Sequence, residues 1–165
     1  MELTDAIYKR RSYRNFLEKE IDENVLNEIL KAGMHAPVAS GRYDNLEFVV
    51  LKGEELDSFQ QELKDTIKSD PTYNCETLIM IYHKGTNVDL ANLDGGCVGQ
   101  NLMLKAIDLG IGSVMIYCIK RFFNEHKELE KYLKIDNEYN FIVSIALGYS
   151  DFKDFRDVSH KIIVK

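Results

Sequence analysis

The chain has 165 residues, 45% hydrophobic and 29% charged, and a formal net charge of −6; this suits one soluble globular domain, residues 1–165, with a real core. An isoelectric point of ≈ 5.3 argues against a nucleic-acid partner, because counterion displacement needs a basic face. No apolar run reaches the length of a membrane span. The opening Met1-Glu2-Leu3-Thr4-Asp5 lacks the apolar centre of a secretory leader, so a cytoplasmic protein is expected.

In chain order, Thr4 can cap a short helix running to about Lys9, with Ala6 and Ile7 on its apolar side. Arg10-Arg11-Ser12-Tyr13-Arg14 follows directly. Arginine presents a planar fork of donors that matches phosphate and carboxylate oxygens, and serine adds a short donor beside it. Arg10, Arg11, Ser12 and Arg14 therefore read as a site for a dianion such as a phosphate monoester. The same residues also suit a solvated basic turn, since cations are favoured where a helix ends. The cluster alone leaves both readings open.

Asp22 caps a second helix whose apolar residues Val25, Leu26, Ile29, Leu30 and Met34 keep helical spacing, and Pro37 stops its continuation. Leu46 to Leu51 reads as a buried strand ended by Lys52-Gly53. Leu56, Phe59, Leu63 and Ile67 form one face of a third helix, which ends before Pro71. Leu78 to Tyr82 is a second buried strand, nearly continuous in its hydrophobicity. A long helix is predicted from about Asp89 to Leu109, broken by Gly110-Ile111-Gly112. Ser113 to Tyr117 is a third strand, 121–134 a helix, and Phe141 to Leu147 a fourth strand stopped by Gly148-Tyr149. The tail from Ser150 is polar, with an extended patch at Ile162-Ile163-Val164. Four strands separated by helices imply a central sheet covered by helices.

The long helix contains Asp94-Gly95-Gly96-Cys97-Val98-Gly99. A glycine inside a helix costs about 0.5–1 kcal/mol relative to alanine, so three together need a reason. A phosphate-cradling loop is a poor one, because the run lacks the lysine of a P-loop and the strand-turn-helix setting of G-x-G-x-x-G. Close approach by another backbone or a flat ligand accounts for the small residues better. Cys75, Cys97 and Cys118 are widely spaced, with no C-x-x-C pair and hence no zinc or disulfide framework. His35, His83, His126 and His160 show no ligand spacing, and no metal site is expected.

Several of these segments together resemble the nitroreductase family of FMN-dependent oxidoreductases. Ala6-Ile7 with Arg10-Arg11-Ser12-Tyr13-Arg14-Asn15-Phe16 is similar to the family's opening. Ile29 to Pro37 resembles the helix leading into its A-P loop, and Phe48-Val49-Val50 the strand after it. Asn101 to Ala106 with Leu109 to Ser113 resembles the central helix and its exit, and Ile145 to Tyr149 the closing strand. The segments keep the family's order over nearly the whole chain.

The resemblance implies an α+β, three-layer fold: a central, mostly antiparallel sheet flanked by helices, in a homodimer with two FMN sites, each built from both chains. Carried over by position, Arg10, Arg11, Ser12 and Arg14 would hold the FMN phosphate and ribityl chain. Pro37, Val38, Ala39, Ser40 and Gly41 would contact the isoalloxazine ring from the partner chain. Ile116, Tyr117 and Cys118 align with the strand end near flavin N5, and Lys161 would return a basic tail residue to the phosphate. The implied activity moves electrons from NAD(P)H through bound FMN to a small acceptor, such as a nitro compound or quinone, by a ping-pong route. The flavin carries the chemistry and no side chain serves as a catalytic residue. Many members continue the loop with Asn and Gln-Pro-Trp. Here it runs Val38-Ala39-Ser40-Gly41-Arg42-Tyr43, and the chain has no tryptophan, so ring contacts and acceptor preference do not carry over. Two other classes remain at this stage: a flavin- or nucleotide-binding sensor without turnover, and a module that docks an acidic partner.

Overall fold

The computed structural model describes residues 1–85, 87–151 and 158–164. Its frame is one sheet of four antiparallel strands: β1 (Leu46–Lys52), β2 (Thr77–His83), β3 (Gly112–Ile116) and β4 (Asn140–Gly148), in the spatial order β1-β2-β4-β3. The central strands β2 and β4 are buried along almost their whole length. They read as continuous apolar runs because both faces of the sheet are covered. Side chains alternate between the faces. Ile79, Ile81, Val143, Ile145 and Leu147 pack toward α2 (Glu23–Met34) and α4 (Val88–Asp108). Leu78, Met80, Tyr82, Val114, Ile116 and Phe141 pack toward α3 (Gly53–Ile67), α5 (Ile119–Glu125) and α6 (Lys127–Tyr132). This is the α+β arrangement of three layers with an antiparallel sheet. The register slips between Ile81 and Tyr82, which turns Ile142 and Val143 together onto the α4 face.

Helix starts follow side-chain capping in two cases. The Asp22 carboxylate accepts from Asn24 N–H at 2.8 Å to open α2, and Asn87 accepts from Leu90 N–H at 3.1 Å to open α4. Thr4 does not cap α1 (Leu3–Lys9). The helix begins earlier, with Glu2 at the cap position and its carbonyl accepting from Ala6 N–H at 3.1 Å. Ala6 is buried, but Ile7 on the expected apolar side is 48% exposed. The single helix predicted over 121–134 is two, because His126 leaves helical geometry at φ −133, ψ 80. β3 stops at Ile116, one residue before Tyr117.

The glycines of α4 divide into two groups. A Cβ on Gly95 would stand 2.5 Å from Ile142 Cγ2, and one on Gly99 would stand 2.6 Å from Met115 Cε. These two positions let the helix settle onto β4 and β3. A Cβ on Gly96 would meet nothing within 4 Å.

Candidate functional site

The arginine-bearing segment lies along the outer edge of the sheet. Ser12 forms a parallel bridge with Ser113, and Tyr13 N–H donates to the Ser113 carbonyl at 2.9 Å. Farther along, Leu17 N–H donates to the Tyr149 carbonyl at 2.8 Å, and Ser150 Oγ donates to the Asn15 carbonyl at 2.8 Å. Two glycines make room for this lane. Gly112 and Gly148 face each other across the β3–β4 ladder. A Cβ on Gly112 would come within 2.9 Å of Ser150 Cβ and 3.2 Å of Tyr13 Cβ; one on Gly148 would come within 2.8 Å of Phe16 Cδ1. Tyr13 can therefore turn inward, where it is 7% exposed. Extended backbone then turns its neighbours Ser12 and Arg14 outward.

Arg10, Arg11, Ser12 and Arg14 line a single cleft of about 670 Å³, bounded across from them by Ser150 and Asp151. Arg10 and Arg11 are half-buried, which reduces the water competing for their donors; Ser12 and Arg14 are exposed. Among the described residues, no carboxylate comes within ion-pair distance of these three arginines. Arg14 instead lies over the Tyr73 ring, 5.8 Å from its centroid, a cation–π contact that holds the side chain without consuming its hydrogen bonds. Chemically this is a cluster of N–H donors with no ion-pair partner among the described residues, suited to a dianion with several oxygens.

The other predicted site residues lie elsewhere. Pro37 to Gly41 follows α2 in a tight turn with Ser40 at φ 56 and Gly41 at φ 65. Ala39 N–H in this turn donates to Asp94 Oδ1 of α4 at 2.9 Å. Ile116 is buried at the end of β3, its carbonyl accepting from Ser144 Oγ at 3.2 Å, while Tyr117 and Cys118 beyond it are exposed. Asp94 and Gly95 pack near Ile142, whereas the arginines sit at Gly148. At about 3.3 Å per residue these points are roughly 20 Å apart along β4. One chain thus gathers Arg10, Arg11, Ser12 and Arg14 but does not bring the 37–41 turn to their cleft. Lys161 is exposed, in a stretch that is exposed from 158 to 164, and does not border the cleft.

Sequence reasoning missed the far wall and the support. Ser150, Asp151, Tyr73 and the Asp94 anchor carry no motif of their own. The facing glycines Gly112 and Gly148 were visible, but Gly112 read as part of the break after the long helix and Gly148 as the stop of the fourth strand, not as a seat. Of the three thiols, Cys75 is buried and pushed up to about 12, by its burial first and by the nearby Asp70 carboxylate second. It is chemically inert at neutral pH.

With this geometry in view, comparison with known proteins is specific. Residues 7–74 and 58–149 match the nitroreductase family, together spanning most of the chain. A curated relative from Archaeoglobus fulgidus, provisionally named an NADH dehydrogenase/NAD(P)H nitroreductase, is 28% identical over 163 residues, covering 97% of this chain and 92% of the relative. Among solved structures, a nitroreductase with bound FMN from Bacteroides fragilis superposes with a TM-score of 0.87 at 22% identity, covering 100% of this chain and 99% of the other. Another with bound FMN from Desulfitobacterium hafniense gives 0.83 at 22% identity, with coverage of 100% and 99%.

Proposed function

This chain belongs to the nitroreductase family, and from that premise we propose that it is an FMN-dependent NAD(P)H oxidoreductase. It passes electrons to a small acceptor, such as a nitro compound or quinone, in a ping-pong sequence. The observation that carries this reading is the cleft lined by Arg10, Arg11, Ser12 and Arg14, whose guanidiniums have no carboxylate partner among the described residues. A phosphate monoester fits that donor set: it carries about two charges and three strong acceptor oxygens. FMN, when bound, supplies the hydride-accepting and hydride-donating chemistry.

The chain's own residues do the rest. Arg10, Arg11, Ser12 and Arg14 hold the phosphate and fix the register of the cofactor along the sheet edge. Lys161, which does not border this cleft in one chain, would have to swing in with the tail to add a further cation there. Ile116, Tyr117 and Cys118, at the far end of β3, lie beside the reactive edge of the ring and orient it. Pro37, Val38, Ala39, Ser40 and Gly41 contact the ring from a second copy of the chain, because their own arginines lie at the other end of β4. No side chain needs to act as nucleophile or general acid.

A homodimer follows from that two-chain site. Its support is the apolar surface left open by α1, the end of α2 and α4: Leu3, Tyr8, Met34 and Leu93 are 58–69% exposed, and exposed apolar surface of this kind marks an interaction face.

A visible spectrum of the purified protein, before and after NAD(P)H, tests the proposal. Flavin bands that bleach on adding the nicotinamide, with parallel double-reciprocal plots, are expected. A protein that takes up no FMN at high micromolar concentration refutes it. One that binds FMN but is not bleached is a flavin-binding module instead.

A further inference from the structure

Asp94 is a charged residue in the core, 4% exposed, in the first third of α4. Burying a carboxylate is costly unless its oxygens find partners. Its Oδ1 accepts from Ala39 N–H at 2.9 Å. Its Oδ2 has no hydrogen-bond partner among the described residues and faces His83 Nε2 at 3.6 Å. His83, at the end of β2, is equally buried. Its Nδ1 accepts from Gly85 N–H at 2.7 Å, so the proton of a neutral ring sits on Nε2, pointing at Asp94. Gly85 is required there: a Cβ would stand 2.2 Å from His83 Cε1. The ring is thus folded back onto its own strand end and aimed at the carboxylate.

The group that Asp94 holds is the amide at the start of an unusual turn. Ser40, directly after Ala39, adopts a left-handed φ of 56 without being glycine. Such a residue persists only where its surroundings over-determine it. A single buried acceptor reaching from α4 to the loop backbone is such a determinant, and the loop-facing oxygen is bonded while the other meets His83.

We propose that Asp94, oriented by His83, is a positioning residue for the flavin ring: by fixing Ala39 N–H it sets the shape of the 37–41 turn that contacts the isoalloxazine. This rests on the proposed function and adds to it a residue remote from the phosphate. Its signature differs from that of the arginines. Loss of a phosphate contact weakens FMN and spares riboflavin, whereas loss of ring positioning weakens both by the same factor.

The test uses the full-length wild type, Asp94→Ala and Asp94→Asn. In flavin-free protein, Ala39 amide exchange should accelerate at least tenfold in Asp94→Ala, while amides of β2 and β4 keep their protection. FMN and riboflavin should then each lose affinity about tenfold, with the visible bands of bound flavin shifted. Should Asp94→Ala not fold, Asp94→Asn carries the test. Its amide fits the same space but sets an N–H donor against the Nε2 proton of His83, so both flavins should weaken by about threefold. Unchanged Ala39 exchange, or a wild-type affinity for riboflavin in the variant, overturns the proposal while FMN binding by the wild type still stands. If the wild type itself takes up neither flavin, the proposed function falls, and this role at the ring falls with it.

Discussion

Gly148→Ala puts a single methyl group between the sheet and the segment that carries the arginines. The added carbon would lie 2.8 Å from Phe16 Cδ1 and 3.0 Å from Phe16 Cβ and Cγ. Ordinary carbon contact begins near 3.5 Å, so the ring must retreat by about 0.7 Å. β4 cannot move instead, because it is buried between β2 and β3. The edge segment yields, and with it the bonds at Tyr13 N–H, Leu17 N–H and Ser150 Oγ. Overpacking of this kind costs about 1–3 kcal/mol. If the displacement is passed to Arg10, Arg11 and Arg14, FMN affinity should fall about tenfold to a hundredfold. Riboflavin, lacking the phosphate, should change by less than about threefold. The melting temperature should drop by about 2–12 °C, since 1 kcal/mol is worth about 2–4 °C at this chain length. Fluorescence titration with both flavins and calorimetry would measure this. An FMN affinity and melting temperature both equal to wild type would show that Phe16 is not seated on Gly148. Equal losses for FMN and riboflavin would show that the segment does not serve the phosphate.

Arg10→Ala and Arg14→Ala each remove a charge-assisted contact worth about 1.5–3 kcal/mol; FMN binding should weaken by one to two orders of magnitude and riboflavin far less, as isothermal titration would read. Gly96→Leu should fold and sediment as a monomer at micromolar concentration, because its side chain meets open space in one chain, whereas Gly99→Leu strikes Met115 and Ile145 and should lower the melting temperature itself. Cys97→Ser and Cys118→Ser should keep most of the NAD(P)H-dependent turnover, since the proposed chemistry needs no thiolate. The Cys75 thiol has a folded value pushed from 9.0 up to about 12, so its contribution to stability is complete below pH 9 and is lost as pH climbs toward 12; Cys75→Ala should flatten the alkaline fall in denaturation midpoint, and an unchanged slope would count against that burial.

The layers of this fold could be read from the sequence because turn residues separate the strands from the helices and α2 and α3 each keep a single apolar face. The β2 run was legible as buried, since a strand covered on both sides stays apolar along its length, whereas β1, also expected to be buried, lies at the sheet edge and is mostly half-buried. What failed was local. Thr4 looks like a cap, yet Leu3 already enters the helix, and hydroxyl chemistry alone does not say on which residue the dihedrals change. The break at His126 has no glycine or proline to announce it. At the site, the arginines were legible as a group because charge density along the chain is a local property. Their cleft was not, because its far wall comes from Ser150 and Asp151, more than a hundred residues away. Asp94 was noticed only as the start of a glycine run. Its partner Ala39 belongs to another helix's exit, and no spacing rule links the two.

The composition of α4 leaves an apolar face that one chain does not cover. A helix on the surface of a domain ordinarily sets an apolar stripe against charged residues. In α4 the inward face uses Gly95, Val98, Gly99, Leu102 and Ala106 to lie against the sheet. Its outward face carries Leu90, Leu93, Gly96, Cys97 and Gln100, and between Asp89 and Lys105 the only charge is Asp94, which is buried. A helix apolar on both sides is stable only when both sides are covered. Within one chain the sheet covers one. The proposed second copy would cover the other, and the same association would carry its 37–41 turn toward the arginine cleft that this chain's own turn does not reach. Dimerisation and cofactor binding would then be one event, so flavin should shift the monomer–dimer equilibrium toward the dimer. Sedimentation of the Gly96→Leu chain with and without FMN measures that coupling, and a monomer that binds FMN at full wild-type affinity would break the link between the open face of α4 and the site.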